Sequence, residues 1–248
     1  MNEETVRGVP ASLFPTLANW IDSTNRVMEY REPDAPDILD VQYLHVRVDS
    51  YNSKEWAAVF PKLQKVRYLD IKGVITDRIL EGVGKIVNLE RLDAGRVAAK
   101  SLDALSELKK LEYLALSHLS AIDNIEVISQ LRCLRSLYLG IGPKVRSLSG
   151  LGARRLPHLK CVLLSGSNAA KALNLDDISH IAMQTGLEYF LPWYVKCDDP
   201  DLGCLEKVAN LKVFGCCDRR WWRDDQLQAL EDKGVTIEFN KPAKSTSE

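Results

Sequence analysis

The sequence predicts an α/β solenoid, a stack of short parallel strands that forms one concave sheet, with short helices or 3-10 turns on the convex side. Three observations predict it. The pattern L-x-x-L-x-x-L-x-L begins at Leu108 and recurs from Leu131. Weaker copies continue the same spacing in both directions along the chain. A composition of 46% hydrophobic and 27% charged residues is typical of a globular domain with a continuous core.

One apolar anchor per copy divides the chain into nine units, which predicts about nine strands. The spacing between successive anchors stays between 22 and 28 residues, a period typical of solenoid repeats. A chance amphipathic pattern would not hold this period over most of the chain. The anchors are Val46, Leu69, Leu92, Leu114, Leu137, Val162, Phe190, Phe214 and Ile237.

Each unit combines a strand with a return segment. In the L-x-L stretch alternate residues point to opposite sides, so the leucines enter the core and the residues between them face the concave side. An apolar residue at every third position from Ile122 to Leu137 predicts a tight return that is 3-10-like or extended. Residues 77–87 and 175–183 instead suggest helical returns. Because no unit buries its apolar side alone, the fold depends on stacking between neighbours.

The two ends of the stack need covers. Residues 1–39 are interpreted as an N-terminal cap, residues 40–223 as the repeats, 224–240 as a C-terminal cap helix and strand, and 241–248 as a disordered tail. In the C-terminal cap, Leu227 and Leu230 should point inward. The apolar residues assigned to the N-terminal cap are Leu13, Phe14, Leu17, Trp20, Ile21 and Val27.

The repeat resembles the short, 22-residue class of leucine-rich repeats found in the internalins and in related cytosolic adaptors. The resemblance extends roughly from Asp40 to Asn240 and implies a horseshoe-shaped solenoid. That class places Asn, Cys or Thr after the strand, where the side chain satisfies the loop backbone. Here the corresponding residues are Val74, Val97, Leu119, Gly142 and Ser167. We therefore expect an irregular solenoid whose loop backbones find other hydrogen-bond partners.

No pattern in the sequence indicates catalysis, a metal or a cofactor. The four histidines fall in four different repeats, and Glu81-Gly-Val-Gly-Lys85 lacks the spacing of a phosphate-binding loop. The clustered Cys197, Cys204, Cys216 and Cys217 lack the paired spacing of zinc sites. Reduced structural thiols are the favoured interpretation, with metal and redox roles as the alternatives.

Tryptophans mark two further stretches. Adjacent Trp221 and Trp222 lie among three arginines and several aspartates. Packing of one of them under the C-terminal cap helix is favoured over a protein contact, and over base stacking on a single-stranded nucleic acid. Trp56 precedes an apolar run and is interpreted as a core residue.

The alternate strand positions predict a binding surface on the concave face. Its first units carry charges of both signs, and later units are aromatic, small or apolar. Because exposed apolar surface of this kind marks interaction sites, a protein-binding face is favoured over self-association or no specific role. The predicted protein-binding residues are Tyr68, Asp70, Arg91, Asp93, Tyr113, Tyr138, Tyr189 and Trp193.

These observations predict a non-catalytic module that binds another protein. One class of partner is a toxin or effector, which an immunity or antitoxin-type inhibitor would cover. The alternatives are a substrate-recognition adaptor in a larger complex, and a nucleic-acid or small-ligand binder, which a net charge of −1 disfavours. An acidic N-terminus without an apolar run, and no stretch long enough to span a bilayer, predict a cytoplasmic monomer that does not bind membranes.

Overall fold

Ten parallel strands form one continuous sheet along the solenoid. The computed structural model describes residues 5–6, 9–14, 29–152, 156–166 and 173–239. In this sheet β3 lies at one edge and β14 at the other, and each strand pairs with the next repeat. Two small sheets accompany it, antiparallel β1–β2 and parallel β10–β12. The strands are β1 Thr5–Val6, β2 Val9–Pro10, β3 Glu29–Tyr30, β4 Tyr43–Val48, β5 Tyr68–Ile75, β6 Arg91–Val97, β7 Tyr113–Leu119, β8 Ser136–Ile141, β9 Cys161–Ser165, β10 Leu173–Leu175, β11 Tyr189–Trp193, β12 Val195–Cys197, β13 Val213–Cys216 and β14 Thr236–Phe239.

Short helices and 3-10 turns return the chain from one strand to the next. The α-helices are α1 Ser53–Val59, α2 Asp77–Val83, α3 Ser149–Gly152 and α4 Asp224–Asp232. The 3-10 turns are Ala11–Leu13, Phe60–Lys62, Asp103–Glu107, Glu126–Gln130, Ser179–Met183, Gly203–Lys207 and Arg219–Trp221. The helix predicted over residues 77–87 is confirmed over Asp77–Val83 and wrong beyond it, because the helix ends at its C-cap Gly84. The 3-10 return between Ile122 and Leu137 is confirmed at Glu126–Gln130. The α/β solenoid with short returns is therefore confirmed.

The helix predicted over residues 175–183 is wrong. The strand β10 ends at Leu175, and a 3-10 turn follows over Ser179–Met183. The Asp177 carboxylate accepts hydrogen bonds from both the main-chain N–H and the hydroxyl of Ser179, which fixes a tight turn at this point. Buried Ile178 and Ile181 are three residues apart, and this period is that of a 3-10 turn.

The strand register confirms the repeat and corrects its first anchor. The predicted anchors from Leu69 to Ile237 are cross-strand partners in unbroken sequence. The partner of Leu69 is Leu44, whereas the predicted anchor Val46 pairs with Ile71. The first anchor was wrong by two residues, but both Leu44 and Val46 point into the core because strand side chains alternate with a period of two.

The core lies between the sheet and the returns, and it is closed by backbone hydrogen bonds between repeats. Anchors such as Leu114 and Leu137 are fully buried, and each such side chain contributes roughly 1.5–3 kcal/mol of stabilisation. Loop backbones find partners without a polar ladder, as expected. After β6, for example, the main-chain N–H groups of Ala98 and Ala99 both donate to the Ile75 carbonyl, at 2.8 and 3.0 Å.

A helix and a strand lie at the C-terminal end of the described residues. Helix α4 buries Leu227 and Leu230, as predicted, and β14 pairs in parallel with β13. Trp222 is buried in the main core and meets the Phe214 ring edge-on at 5.3 Å. Trp56 is also in the core, as predicted. The tail, residues 241–248, lies outside the described residues.

The N-terminal end differs from the predicted cap. Strand β3 extends the sheet beyond β4, at the position where a cap would be expected. Leu13 and Phe14, however, pack on the concave face of the middle repeats and not over the first repeat. The other predicted cap residues, Leu17, Trp20, Ile21 and Val27, lie outside the described residues. The division of the chain at residues 39 and 223 stays a prediction.

Candidate functional site

The strand register brings the predicted site residues to one side of the sheet. One row joins the first residues of successive strands, and a second row lies two residues further along each strand. The first row contains Tyr68, Arg91, Tyr113, Ser136, Cys161 and Tyr189. The second contains Asp70, Asp93, Ala115, Tyr138, Leu163 and Leu191, and Trp193 ends β11 on the same side. A role in binding for the eight predicted residues stays a prediction.

Most of this face is covered, contrary to the expectation of an open aromatic surface. Only Asp93 and Tyr138 among the eight are partly exposed, and none of the others is more than 9% exposed. The six buried residues are Tyr68, Asp70, Arg91, Tyr113, Tyr189 and Trp193. What covers the middle of the face is a part of the same chain.

The covering element is the N-terminal segment, Val9–Phe14. Three hydrogen bonds join its main chain to the first row of the concave face. The Ser136 hydroxyl donates to the Leu13 carbonyl at 2.6 Å, and the Tyr113 hydroxyl donates to the Ser12 carbonyl at 3.2 Å. The Arg91 guanidinium donates to the Phe14 carbonyl at 2.6 Å. In each bond a side chain of the sheet binds a main-chain oxygen of the segment.

Apolar contacts complete the attachment. Val9 and Phe14, at 0% and 4% exposed, belong to one hydrophobic cluster with a group of concave side chains that we call the apolar patch. The apolar patch consists of Cys161, Leu163, Tyr189, Leu191, Trp193 and Val213. Leu13 and Tyr138 pack against this cluster. The cluster is separate from the main core on the other side of the sheet.

Arg91 is the charged residue at the centre of the attachment. Its guanidinium lies 4.2 Å from the centroid of the Tyr113 ring, a cation–π geometry. Burial lowers the pKa of Arg91 to about 9, and burial also raises the pKa of Tyr113. A buried guanidinium needs acceptors, and the Phe14 carbonyl supplies one of them.

The first repeats form a charged end of the concave face. The Asp70 carboxylate contacts His45 Nδ1 at 2.8 Å and Lys72 Nζ at 3.0 Å. Burial opposes the charge on Lys72, but Asp70 outweighs it and the pKa of Lys72 is raised. Arg47 lies exposed beside Lys72 on the adjacent strand. Reversing the charge of Asp70 would break two contacts of a buried group, so it would test stability and not only association.

Tyr138 borders the open part of the middle repeats. A surface pocket of about 200 Å³ lies beside it at the carboxyl ends of the strands. His118 enters this pocket from a left-handed backbone position with φ of 56°. A Cβ on Gly140 would come within 2.9 Å of the His118 main-chain nitrogen, so the close approach of these strands requires glycine. The pocket is lined by Ser117, His118, Tyr138, Gly140, Ile141, Ser165 and Gly166.

The apolar residues of the covering segment are visible in the sequence, but the alternation of strand residues does not show where the segment packs. Val9-Pro10-Ala11-Ser12-Leu13-Phe14 is an apolar run, too short for a stable helix. It was assigned to the cap because the end of a solenoid is the usual surface that needs a cover. Ser136 was also missed as a binding residue, because a lone serine on a strand carries no specific signal.

Two of the six cysteines are buried, three are partly buried, and Cys133 is exposed. All six are free, and Cys161 and Cys216 are fully buried on opposite sides of the sheet. Burial raises the pKa of Cys197 to about 12 and that of Cys204 to about 11, so both thiols are protonated at neutral pH.

Within the described residues, no three His, Cys, Asp or Glu side chains are grouped so that they could hold a metal ion. No helix of the described part is both long and apolar enough to cross a bilayer.

Comparison with solved structures places the fold. An internalin C2 from Listeria monocytogenes matches 75% of this chain and 78% of its own, with a TM-score of 0.51 and 19% identity. An internalin (inlF) from the same organism matches 71% of this chain with a TM-score of 0.48 and 21% identity, and this chain spans only 54% of it. A leucine-rich-repeat protein from Leptospira interrogans matches 85% of this chain and 70% of its own, with a TM-score of 0.40 and 13% identity. No protein-family model and no curated protein sequence matches the chain.

The parallel sheet, the repeat register and the internalin likeness define a leucine-rich-repeat solenoid. The fold is that of the leucine-rich-repeat proteins, as the sequence pattern predicted. Because the sequence identity is low, the likeness establishes the fold and leaves function to be argued from the concave face.

Proposed function

We propose that this protein is a non-catalytic interaction module that binds a protein partner through its concave face. One observation carries the proposal: the face already holds a segment of polypeptide, Val9–Phe14. Three side chains of the sheet donate to consecutive main-chain carbonyls of residues 12–14, and an apolar patch receives Val9 and Phe14. A surface with both features suits the backbone and the apolar side chains of a protein.

Two further zones support binding beyond the covered middle. The charged end, with Arg47 and Lys72 exposed, would steer a partner of complementary charge. Tyr138 and its pocket would supply an aromatic contact at the rim of the apolar patch. Together the three zones extend over most of the repeats.

The finer parts of the proposal concern the partner and its setting. We place the protein in the cytoplasm as a monomer, and propose a toxin or effector as a partner class, whose active surface the solenoid would cover. A role as a substrate adaptor is compatible with the same face. Nucleic acid is disfavoured because the net charge is −1 and phosphate binding needs clustered basic side chains.

The proposal is tested by comparing the capture of a partner by the wild-type chain and by two matched double variants of the full chain. The concave variant combines Arg47→Glu with Tyr138→Ala, and the control combines Arg78→Glu with Tyr51→Ala. Arg78 and Tyr51 are exposed and lie on α2 and in the loop before α1, away from the concave rows. A specific partner should be captured by wild type and control and lost by the concave variant. Equal capture by both variants would contradict the proposal.

A further inference from the structure

In the covered middle of the concave face, polar side chains contact the main chain of the N-terminal segment, and apolar side chains contact its side chains. Among the described residues, the three hydrogen bonds that the sheet donates to Val9–Phe14 end on carbonyl oxygens, those of Ser12, Leu13 and Phe14. Every residue of a polypeptide offers such an oxygen, so these bonds recognise main chain and carry no sequence preference. The sequence preference comes from the apolar patch, which receives Val9 and Phe14.

The N-terminal segment is attached as a ligand would be. It lies across the strands β6 to β8 through side-chain donors at their first residues, and its partners are 77 to 123 residues away in sequence. Its own structure is the short strand β2 at Val9–Pro10, paired with β1, then a 3-10 turn at Ala11–Leu13 and an extended Phe14. The main core on the other side of the sheet is formed by other residues. Removing the segment would therefore open the concave cluster and leave the repeat core intact.

We propose that Val9–Phe14 is an internal ligand that occupies the partner site, and that the partner inserts a segment of the same chemistry in its place. The incoming segment presents successive carbonyls to Arg91, Tyr113 and Ser136 and places a bulky apolar side chain on the apolar patch. Displacement then makes binding competitive, because a tethered ligand acts at an effective concentration in the millimolar range. This inference rests on the proposed function, and it assigns the partner a chemistry.

Three cysteines on the chain report separately on the cover, the core and the surface. Cys161 is fully buried in the concave cluster that contains Phe14. Cys216 is fully buried in the main core, and Cys133 is exposed. Alkylation of the native full-length protein, resolved by peptide mass spectrometry, gives a rate for each thiol. In the wild type, Cys161 and Cys216 should both react far more slowly than Cys133.

The variant Phe14→Ala should raise the Cys161 rate by about tenfold or more and leave the Cys216 rate unchanged, because only the cover is weakened. The double variant Tyr113→Phe with Ser136→Ala removes two carbonyl donors and keeps the apolar packing, and it should raise the Cys161 rate less. An unchanged Cys161 rate in both variants would overturn the proposal. An equal rise at Cys216 would also overturn it, because the segment would then be part of the core.

The second arm supplies the segment as a separate molecule. The probe is the blocked peptide Val-Pro-Ala-Ser-Leu-Phe at millimolar concentration, added to the Phe14→Ala protein. It should restore protection of Cys161, whereas a matched peptide ending in Ala should not. Failure of both peptides to protect would overturn the internal-ligand proposal. The proposed function fails by a different result, a captured partner that is insensitive to the concave double variant.

Discussion

The two sides of the sheet are both covered with apolar contacts, but the cover has a different origin on each side. On the core side, the returns of the same repeats supply it, so leucines such as Leu114 and Leu137 are buried by near neighbours in sequence. On the concave side, the middle is covered by a segment whose Leu13 carbonyl meets Ser136, 123 residues away. The returns cannot leave the core side of the sheet unless the repeats unfold. Val9–Phe14 can leave the concave side while the repeats stay folded.

The largest effect should come from the core side. Leu114→Ala should lower the free energy of unfolding by about 2–5 kcal/mol, because it leaves a cavity that rigid neighbours fill poorly. Tyr138→Ala, on the concave side, should cost under about 1 kcal/mol because its side chain is partly exposed. Denaturant unfolding of both variants measures the contrast. Equal losses of unfolding free energy in Leu114→Ala and Tyr138→Ala would mean that Tyr138 supports the fold as a core residue does.

A smaller effect is expected where the N-terminal segment meets the sheet. Ser136→Ala removes the hydroxyl that donates to the Leu13 carbonyl, and it should lower stability by about 1 kcal/mol. Amide exchange of Ala11–Phe14 should accelerate more than that of β7. Acceleration of the two regions by the same factor would show that segment and repeats unfold together, and the contrast between the covers would disappear.

The charged end should affect how fast a partner arrives. Arg47→Glu should slow association and alter its salt dependence, while the dissociation rate changes little, because the exposed side chain acts at long range. The matched Arg78→Glu on α2 should leave both rates unchanged. Stopped-flow mixing at two salt concentrations measures this. If both variants slow association equally, net charge and not the concave face steers the partner.

The smallest loss of stability is expected at Glu188, which directly precedes β11 and belongs to neither cover. Burial opposes the charge of Glu188, but Lys212 at 2.6 Å and Lys160 at 2.9 Å outweigh it and lower the pKa of Glu188. This carboxylate therefore adds stability above its unfolded pKa of about 4.5, and the stability is lost as pH falls through the lower folded pKa. Glu188→Gln should cost under about 1 kcal/mol at pH 7. The difference from wild type in denaturant unfolding should shrink as pH falls below about 4.5, and a difference that does not shrink would assign the loss to packing.

Features that recur in every repeat could be predicted from the sequence, whereas features that occur once in the chain could not. Period and strand parity located the sheet and the side of each strand that enters the core, because both are set by neighbours at a fixed spacing. The register at Val46 was missed because every second residue of that strand is apolar, which leaves two equivalent anchors. The position of Val9–Phe14 was missed because an apolar run shows that it needs a cover, and not which surface provides it. Parity placed the eight site residues on one face, but burial by a distant segment has no local signal.

The affinity of the captured partner for two tyrosine variants tests the central claim, that the concave face is the binding surface. Tyr138 lies at the rim of the apolar patch, and Tyr51 is exposed on a loop outside the sheet. Titration calorimetry should show a loss of about 2 kcal/mol for Tyr138→Ala, roughly a 30-fold weaker Kd, and a Kd within about twofold of wild type for Tyr51→Ala. Unchanged affinity for Tyr138→Ala, with loss for Tyr51→Ala, would place the partner on the loops and contradict the account.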